Sequence, residues 1–318
     1  MSAIELNQFI RETAQNLGFS KLGIAPAAPA TTEQQSTNRL NSWLQKGYHS
    51  TMYWMEKRAD ERGDMGKYYP EAKSVISLGL NYFTGNASPD SDVGKISNYA
   101  WGDDYHDLIK SRLYQLLGKI KTKFPHLNGI ACVDTSPIME KDWAQKAGIG
   151  WIGKHTNLIT RDYGSWIFLG ELLLDVELEY DTPFNDDLCG TCTACLDACP
   201  TNAFPEPYVL DASKCISYLT IEHRGDLPSQ LEDKLSGWIY GCDICQEVCP
   251  WNITFSHLSN ENSFQPRENL KERPIRQWEK LTEEEFRILF KKSAVTRTKF
   301  VGLKRNINSV RKSLGDSL

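Results

Sequence analysis

Long apolar runs are missing from this sequence, and so is a charged leader at its start. No stretch of about 18 apolar residues occurs in the 318-residue chain. The most apolar stretch, residues 166–176, is short and is interrupted by Gly170 and Glu171. The N-terminal residues lack a basic region followed by an apolar one, and they lack a twin-arginine pair. We therefore expect a cytoplasmic protein with no membrane partner.

Cysteine is scarce outside one segment. Of the nine cysteines, only Cys132 lies outside the range from Cys189 to Cys249. A disulfide scaffold would spread its cysteines through a small secreted chain, so this crowding indicates metal binding instead. The net charge of −5 argues against a protein that coats nucleic acid indiscriminately, although it leaves room for a local basic patch.

Residues 1–178 alternate between helical and strand-like patterns, and no internal repeat of fixed period occurs. Helical spacing is seen over residues 4–17, 32–47 and 105–124. Strand-like runs occupy residues 22–27, 74–83, 129–134 and 165–178. We predict an α/β (α+β) domain over 1–178 whose sheet mixes parallel and antiparallel strands. A ferredoxin-like domain follows over 179–255, and a short helical, basic segment over 256–318.

The cysteine spacing is specific. Cys189, Cys192, Cys195 and Cys199, followed by Pro200, form C-x2-C-x2-C-x3-C-P, a ferredoxin run whose fourth cysteine binds the other cluster. A second run lacks its first cysteine, which Cys215 can supply. The predicted ligand sets are Cys189, Cys192, Cys195 and Cys249 for one [4Fe–4S] cluster, and Cys199, Cys215, Cys242 and Cys245 for the other. Two structural zinc sites are the alternative, since zinc also uses C-x2-C pairs.

Two other motifs are weaker. Gly148, Gly150 and Gly153 form G-x-G-x-x-G, but a helix-like stretch precedes them and a strand-like one follows, so we interpret them as a turn from helix to strand. The stretch Asp104-Tyr105-His106 lacks the glycine of a cobalamin-ligating histidine signature, so we assign His106 no role there.

Asp134 and the C-terminal basic residues admit two interpretations each. Asp134 ends an apolar strand, where it could act as an acid or be satisfied within the turn by Thr135 or Ser136. Residues 291–312 contain eight lysines and arginines and no acid. This stretch favours phosphate contact, because a solvated helix face usually mixes charges of both signs.

The chain resembles the epoxyqueuosine reductase (QueG-like) family, which is related to the reductive dehalogenases. The resemblance covers nearly the whole chain. It is carried by the first cysteine run and by YAWGDDYH (99–106), VDTSPIMEKDWAQKAGIGWIGKHTNLIT (133–160), CISYLTIEHRG (215–225) and GWIYGCDICQEVCPWN (237–252). Longer family members continue into a HEAT-like helical extension.

The resemblance implies an oxidoreductase that reduces epoxyqueuosine to queuosine in the tRNA anticodon loop. It implies base-off cobalamin fed by the two clusters, an external low-potential donor of flavodoxin or ferredoxin type, and Asp134 as proton donor. The implied cobalamin contacts are Lys57, Arg58, Ser97, Asp134, Asn157, Leu158, Ser217, Glu222, Arg224, Tyr240 and Gly241. The tRNA contacts we expect are Lys280, Lys292, Arg297, Lys299, Lys304 and Arg305.

Two alternatives remain open from the sequence. One is a reductive dehalogenase-like enzyme that acts on a small halogenated molecule. The other is a two-cluster electron-transfer protein with no chemistry of its own, which would give Asp134 no role. No coiled-coil heptad is present, so we expect a monomer.

Overall fold

The computed structural model describes residues 3–27 and 31–315, without the side chains of residues 3 and 31–35. The chain forms two compact units. The first unit contains the chain up to Gly47, Tyr53–Asn81 and His106–Thr191. The second contains Tyr48–Met52, Tyr82–Tyr105 and the chain from Cys192 onward. The predicted domain boundaries at residues 178 and 255 stay a prediction. The two compact units do not follow those boundaries, because residues 82–105 belong to the same unit as the C-terminal part of the chain.

The strands, in chain order, are β1 (Lys21–Pro26), β2 (Ser74–Asn81), β3 (Lys95–Ile96), β4 (Gly129–Cys132), β5 (Trp151–Ile152), β6 (Leu158–Ile159), β7 (Ile167–Leu174) and β8 (Trp238–Tyr240). The predicted strands within the first unit are confirmed, with the longer runs trimmed at their ends.

The helices of the N-terminal half are α1 (Ala3–Asn16), α2 (Thr31–Gln45), α3 (Trp54–Lys57), α4 (Ala59–Gly63), α5 (Met65–Tyr68), α6 (Tyr105–Lys123) and α7 (Glu140–Lys146). Those that follow are α8 (Ala194–Asp197), α9 (Ile216–Ile221), α10 (Ile244–Glu247), α11 (Pro250–Phe255), α12 (Ile275–Glu279), α13 (Glu283–Leu289) and α14 (Lys299–Ser313). Short 3-10 turns occupy Asn98–Ala100, Ala212–Lys214, Glu232–Lys234, Asn262–Phe264 and Ala294–Thr298. The three helices predicted from apolar spacing are confirmed. In the described part of the chain, no helix combines the length and the apolarity needed to cross a membrane.

The first unit is built on a four-stranded sheet of order β1-β2-β7-β4 in which every neighbouring pair is antiparallel. The prediction of a mixed sheet was therefore wrong. Both central strands, β2 and β7, are buried along their whole length. Such continuous apolar runs are typical of parallel strands covered on both faces, and here the same covering occurs on an antiparallel sheet.

Helices cover the two faces of this sheet. Gly170 of β7 lies beneath α6, where an added Cβ would meet Ile109 at 2.8 Å. On the other face, Trp143 of α7 packs in one apolar cluster with Val75 and Leu173. Because side chains alternate along a strand, Glu171 points to the same face as Leu173, beneath α7.

The second unit has its own apolar core around β8, which pairs in parallel with β3. The rings of Trp278 and Phe290 stack with centroids 6.1 Å apart. The fully buried Asn306 of α14 donates from Nδ2 to the carbonyl oxygens of Thr220 and Ile239, each at 2.9 Å. These bonds hold the segment after Cys215 against β8 and α14.

Candidate active site

Asp134 lies on the turn that follows β4. Its φ of 38° is left-handed, a conformation that costs a non-glycine residue roughly 1–3 kcal/mol. Its side chain is 53% exposed, and its Oδ2 atom lies 2.9 Å from Nε2 of His106, in the first turn of α6. The Thr135 hydroxyl donates to the carbonyl of Val133 instead of to Asp134. The site thus pairs a solvent-accessible carboxylate with an imidazole, an arrangement that can hold and release a proton.

Glu140, the first residue of α7, contacts the backbone of Asp134. Its Oε1 accepts a hydrogen bond from the Asp134 amide at 2.6 Å. Burial, and then the charge of Asp134, raise the pKa of Glu140 to about 8, although His106 and Lys141 act in the opposite direction. The protonation equilibrium that involves Glu140 is therefore shifted from the acidic range toward neutral pH.

The glycine turn lies in the same unit. Gly148 has a φ of 76° and follows the end of α7, and the chain then enters the β5–β6 hairpin. The prediction of a helix-to-strand turn is confirmed. His155 is buried within this hairpin, where its Nδ1 accepts from the Asn157 amide at 3.2 Å, and burial lowers its pKa to about 4.

All nine cysteines lie among the described residues, and none of them forms a disulfide. Cys195 and Cys249 are buried, Cys192 is exposed and Cys189 is half-buried. Cys132, the residue outside the predicted ligand sets, is fully buried on β4.

The cysteines predicted to bind the second cluster lie close together in the second unit. Burial raises the pKa of Cys215, and the charge of Cys199 adds to this effect. Burial, then the charge of Cys245, raises the pKa of Cys242 well above its ordinary value. For Cys245, burial is again the main cause, followed by the charge of Cys215. Four thiolates in such surroundings would be stabilised by the positive charge of a metal centre.

Backbone amides point at these sulfur atoms. The Ala203 amide donates to Sγ of Cys199 at 3.3 Å. The backbone amides of Tyr218 and Ser217 also donate hydrogen bonds to Cys215, and these bonds act to lower the pKa of its thiol. Hydrogen bonds to sulfur stabilise anionic iron–sulfur clusters, so the donor set fits such a cluster. In the part of the chain that the structure describes, no three His, Cys, Asp or Glu side chains are spaced to hold a single metal ion.

The predicted cobalamin contacts fall into two groups. The first group is at least partly exposed and consists of Lys57, Arg58, Asp134, Asn157 and Ser217. The second group is buried or bonded within the protein and consists of Ser97, Leu158, Glu222, Arg224, Tyr240 and Gly241.

Bonds within the second unit occupy the polar groups of that second set. The Ser97 hydroxyl donates to Asp243 at 2.5 Å, the Tyr240 hydroxyl donates to the Ala294 carbonyl at 2.6 Å, and the Gly241 amide donates to the Thr220 hydroxyl at 2.9 Å. These groups are committed to the protein's own fold.

The predicted tRNA contacts also divide. Lys304 donates to the Glu279 carbonyl, and Arg305 donates to the carbonyl oxygens of Leu219, His223 and Gly225. Arg297 donates to both carboxylate oxygens of Glu222 at 2.9 Å. The exposed lysines are Lys280, Lys292 and Lys299. Much of the basic stretch therefore binds protein acceptors.

Sequence reasoning missed three residues near Asp134: His106, Glu140 and Glu171. His106 reaches Asp134 from a helix 28 residues earlier in the chain, so no local pattern marked it. Glu140 lies only six residues after Asp134, but no motif marked its contact with the Asp134 amide. Glu171 carried a usable signal, because it is an acid inside the apolar strand IFLGELLL.

Known proteins resemble this chain in sequence and in fold. Two family models match the chain: a 4Fe-4S double cluster binding domain over residues 188–252, and epoxyqueuosine reductase QueG, DUF1730, over residues 62–135. The epoxyqueuosine reductase of Cellulophaga algicola is 45% identical over 302 residues, which is 95% of this chain and 97% of that protein. The chain belongs to the epoxyqueuosine reductase family.

Solved epoxyqueuosine reductases share the fold. One, crystallised with an epoxyqueuosine-modified tRNA-Tyr stem loop, is 29% identical with a TM-score of 0.90, covering 99% of this chain and 83% of that one. Another, from Bacillus subtilis, has its catalytic loop swung out of the active site. It is 28% identical with a TM-score of 0.89, again covering 99% and 83%. As a member of this family, the chain carries a double [4Fe–4S] cluster domain at 188–252.

Proposed function

We propose that this protein reduces epoxyqueuosine to queuosine in the anticodon loop of tRNA. The observation that carries the proposal is the 45% identity to an epoxyqueuosine reductase over nearly the full length of both chains. The reaction consumes two electrons and two protons. It converts the epoxide to a carbon–carbon double bond and releases the epoxide oxygen as water.

Asp134 donates a proton to the epoxide oxygen in this proposal. Its carboxylate is exposed, and the hydrogen bond to His106 places a second titratable group 2.9 Å from Oδ2. His106 aligns the carboxyl group and can return a proton to it between turnovers. The loop that carries Asp134 is also proposed to move, by analogy with the Bacillus subtilis relative whose catalytic loop is swung out.

The two clusters would supply electrons, taken from an external low-potential donor of flavodoxin or ferredoxin type. We assign Cys199, Cys215, Cys242 and Cys245 to one cluster, because their thiols are mutually close and surrounded by amide donors. The other cluster is assigned to Cys189, Cys192, Cys195 and Cys249 from the spacing of the run.

Cobalamin is the proposed redox partner of the epoxide, and it would supply a strongly reducing cobalt. Family membership carries this assignment. The predicted contacts whose side chains are exposed enough to reach it are Lys57, Arg58, Asn157 and Ser217, together with Asp134. Ser97 and Tyr240 instead hold the fold of the second unit through their bonds to Asp243 and Ala294.

The proposed tRNA surface is centred on Lys292 and Lys299. Both side chains are exposed. The backbone of Lys292 is fixed, since its carbonyl accepts from the Asp104 amide at 2.8 Å and from the Arg267 guanidinium at 3.3 Å. An exposed cation on a fixed turn loses little freedom when it binds a phosphate. Lys280 extends the same basic set. Arg297, Lys304 and Arg305 support it through their protein contacts.

The test is anaerobic turnover. The cluster- and cobalamin-loaded protein is incubated with epoxyqueuosine-containing tRNA and a low-potential reductant, and the digested nucleosides are quantified by mass spectrometry. We expect epoxyqueuosine to be replaced by queuosine only when the reductant is present. Fully loaded, reducible protein that leaves the epoxide intact would refute the proposal and favour the electron-transfer alternative.

A further inference from the structure

An acidic residue lies at the centre of the apolar sheet of the first unit. Glu171 is 0% exposed and sits on the central strand β7. Across the sheet it pairs with Ser77 of β2 on one side and Cys132 of β4 on the other. Both neighbours are fully buried as well. A lone carboxylate in such surroundings is strongly destabilised, so the charged form needs a partner or the group must stay protonated.

No ordinary donor satisfies this carboxyl group. Neither oxygen of Glu171 has a hydrogen-bond donor in the described part of the chain, and the Ser77 hydroxyl is similarly unpaired. The side chain that does make hydrogen-bonding contact with Glu171 is another acid, Glu140. Two ionised carboxylates cannot form a hydrogen bond to each other, because each offers only acceptors. One of the two must carry a proton.

Glu140 links this buried acid to the catalytic loop. While it contacts Glu171, its Oε1 accepts from the Asp134 amide at 2.6 Å. That amide belongs to a residue held at a left-handed φ of 38°. A strained backbone conformation persists only where surrounding contacts fix it, and this hydrogen bond is such a contact.

We propose that Glu140 and Glu171 share one proton beneath α7, and that the pair acts as a latch holding Asp134 in its working position. Glu171 carries the proton and donates a hydrogen bond to one carboxylate oxygen of Glu140. The other carboxylate oxygen of Glu140 accepts the hydrogen bond from the Asp134 amide. Glu140 is thus a positioning residue and Glu171 anchors it. The catalytic part of this inference rests on the proposed function, whereas the latch itself is a property of the folded chain.

The surrounding groups allow this arrangement. On the side of Glu140 lie Asp134, His106 and Lys141, whose charges influence it in opposite directions. Arg62 of α4 is close enough to interact electrostatically with both Asp134 and Glu140. Its guanidinium also donates to the Ser136 carbonyl at 3.4 Å. On the side of Glu171, Cys132 and Ser77 are neutral neighbours on the adjacent strands. A proton is therefore the group that neutralises Glu171 in this arrangement.

The first test detects the shared proton in the cluster-loaded protein. Infrared difference spectra at pH 7 compare the wild type with Glu171→Gln, which keeps the size of the side chain and its ability to donate. We expect a carboxylic-acid C=O band in the wild type that is missing in the variant. Asp142→Asn is the matched control. Asp142 is a buried acid of α7, the helix that carries Glu140, and it pairs with Arg39 instead. Identical acid bands in wild type and Glu171→Gln would overturn the shared proton.

The second test measures the latch by hydrogen–deuterium exchange of the peptide that contains Asp134. In Glu140→Ala we expect this amide to exchange about tenfold faster, as loss of one charge-assisted hydrogen bond implies. Asp142→Asn should exchange like the wild type. If Glu140→Ala does not fold, Glu140→Gln replaces it: this variant keeps an acceptor for Asp134, and we expect near-wild-type exchange with the acid band reduced. Unchanged exchange in Glu140→Ala, or fast exchange in Glu140→Gln, would overturn the latch.

Turnover then separates this inference from the proposed function. With epoxyqueuosine tRNA, Glu140→Ala should lower kcat about tenfold and leave KM nearly unchanged, since the substrate contacts are intact. If the wild type is inactive, the proposed function fails while the exchange and infrared results still decide the latch. If the wild type is active and Glu140→Ala matches it in kcat, the positioning role fails.

Discussion

Buried acids occur in both units of this protein, and the two units neutralise them differently. In the first unit, burial raises the pKa of Glu140 and Glu171, and the proposed latch neutralises the pair with a proton. In the second unit, burial raises the pKa of Cys215, Cys242 and Cys245, and here the proposed neutralising charge is iron. In both units the cost is the desolvation of an anion. The carboxyl pair of the first unit offsets this cost with a proton, whereas the cysteines of the second unit would offset it with an iron centre that carries electrons.

The largest expected effect comes from breaking the thiol side of this comparison. Cys242→Ser should lower the iron content from about eight to about four per chain and abolish turnover, because one cluster loses a ligand. Iron and sulfide analysis of the reconstituted protein measures this. Cys132→Ser is the matched control, since Cys132 is a buried cysteine outside the ligand sets, and it should retain all of its iron. Full iron in Cys242→Ser would contradict the assignment.

The second-largest expected effect concerns Asp134, the proposed proton donor of the first unit. His106→Leu removes the hydrogen bond to Asp134 Oδ2. A general acid contributes about 10²–10⁴-fold, so losing its aligning partner should lower kcat roughly ten- to a hundredfold with iron content unchanged. Single-turnover assays with epoxyqueuosine tRNA measure the loss. The exposed His126 provides the control His126→Leu, which should retain activity. Equal rates in the two variants would show that His106 has no part in catalysis.

A smaller effect concerns tRNA. Lys292→Glu and Lys299→Glu should each weaken tRNA binding several-fold and reduce the slope of log affinity against log salt by about one. Binding isotherms at several salt concentrations test this, with the exposed Lys119→Glu of the first unit as control. If the Lys119 variant is affected as strongly as the other two, the tRNA surface has been misplaced.

The smallest effect is on stability. The pKa of Glu140 rises from 4.5 to about 8 on folding, so its stabilising contribution is complete below the unfolded value and is lost as pH rises through the folded value. The melting temperature of the wild type should therefore fall between about pH 5 and 8. In Glu171→Gln this fall should be shallower by roughly 2–4 °C. Thermal unfolding at several pH values tests this, and Asp142→Asn should follow the wild type. A Glu171→Gln curve parallel to that of the wild type would count against the buried pair.

How much the sequence could predict depended on how local each signal was. The helix at 105–124 and the strands at 74–83 and 129–134 follow from apolar spacing, and the structure has them. The direction of the strands did not follow, because the buried runs of β2 and β7 fit either parallel or antiparallel pairing. The assumed mixed sheet was the error.

The same distinction holds for the site. Cysteine spacing is local and predicts ligand sets, and the end of a strand marks Asp134. His106 and Glu171 approach the Asp134 loop only through the tertiary fold, so sequence reasoning missed them. Glu140 lies six residues after Asp134, but its contact depends on the left-handed turn between them. Charge patterning also could not distinguish exposed lysines such as Lys299 from Arg305, which binds three backbone carbonyls.

The most direct test of this division between protons and electrons is the Asp134→Asn variant of the fully loaded protein. Cluster reduction is followed by EPR, and queuosine formation on tRNA is followed in the same sample. We predict clusters that reduce as in the wild type and product formation slowed by about 10²–10⁴-fold. Queuosine formation at the wild-type rate would contradict Asp134 as proton donor, and clusters that no longer reduce would contradict the separation of the two roles.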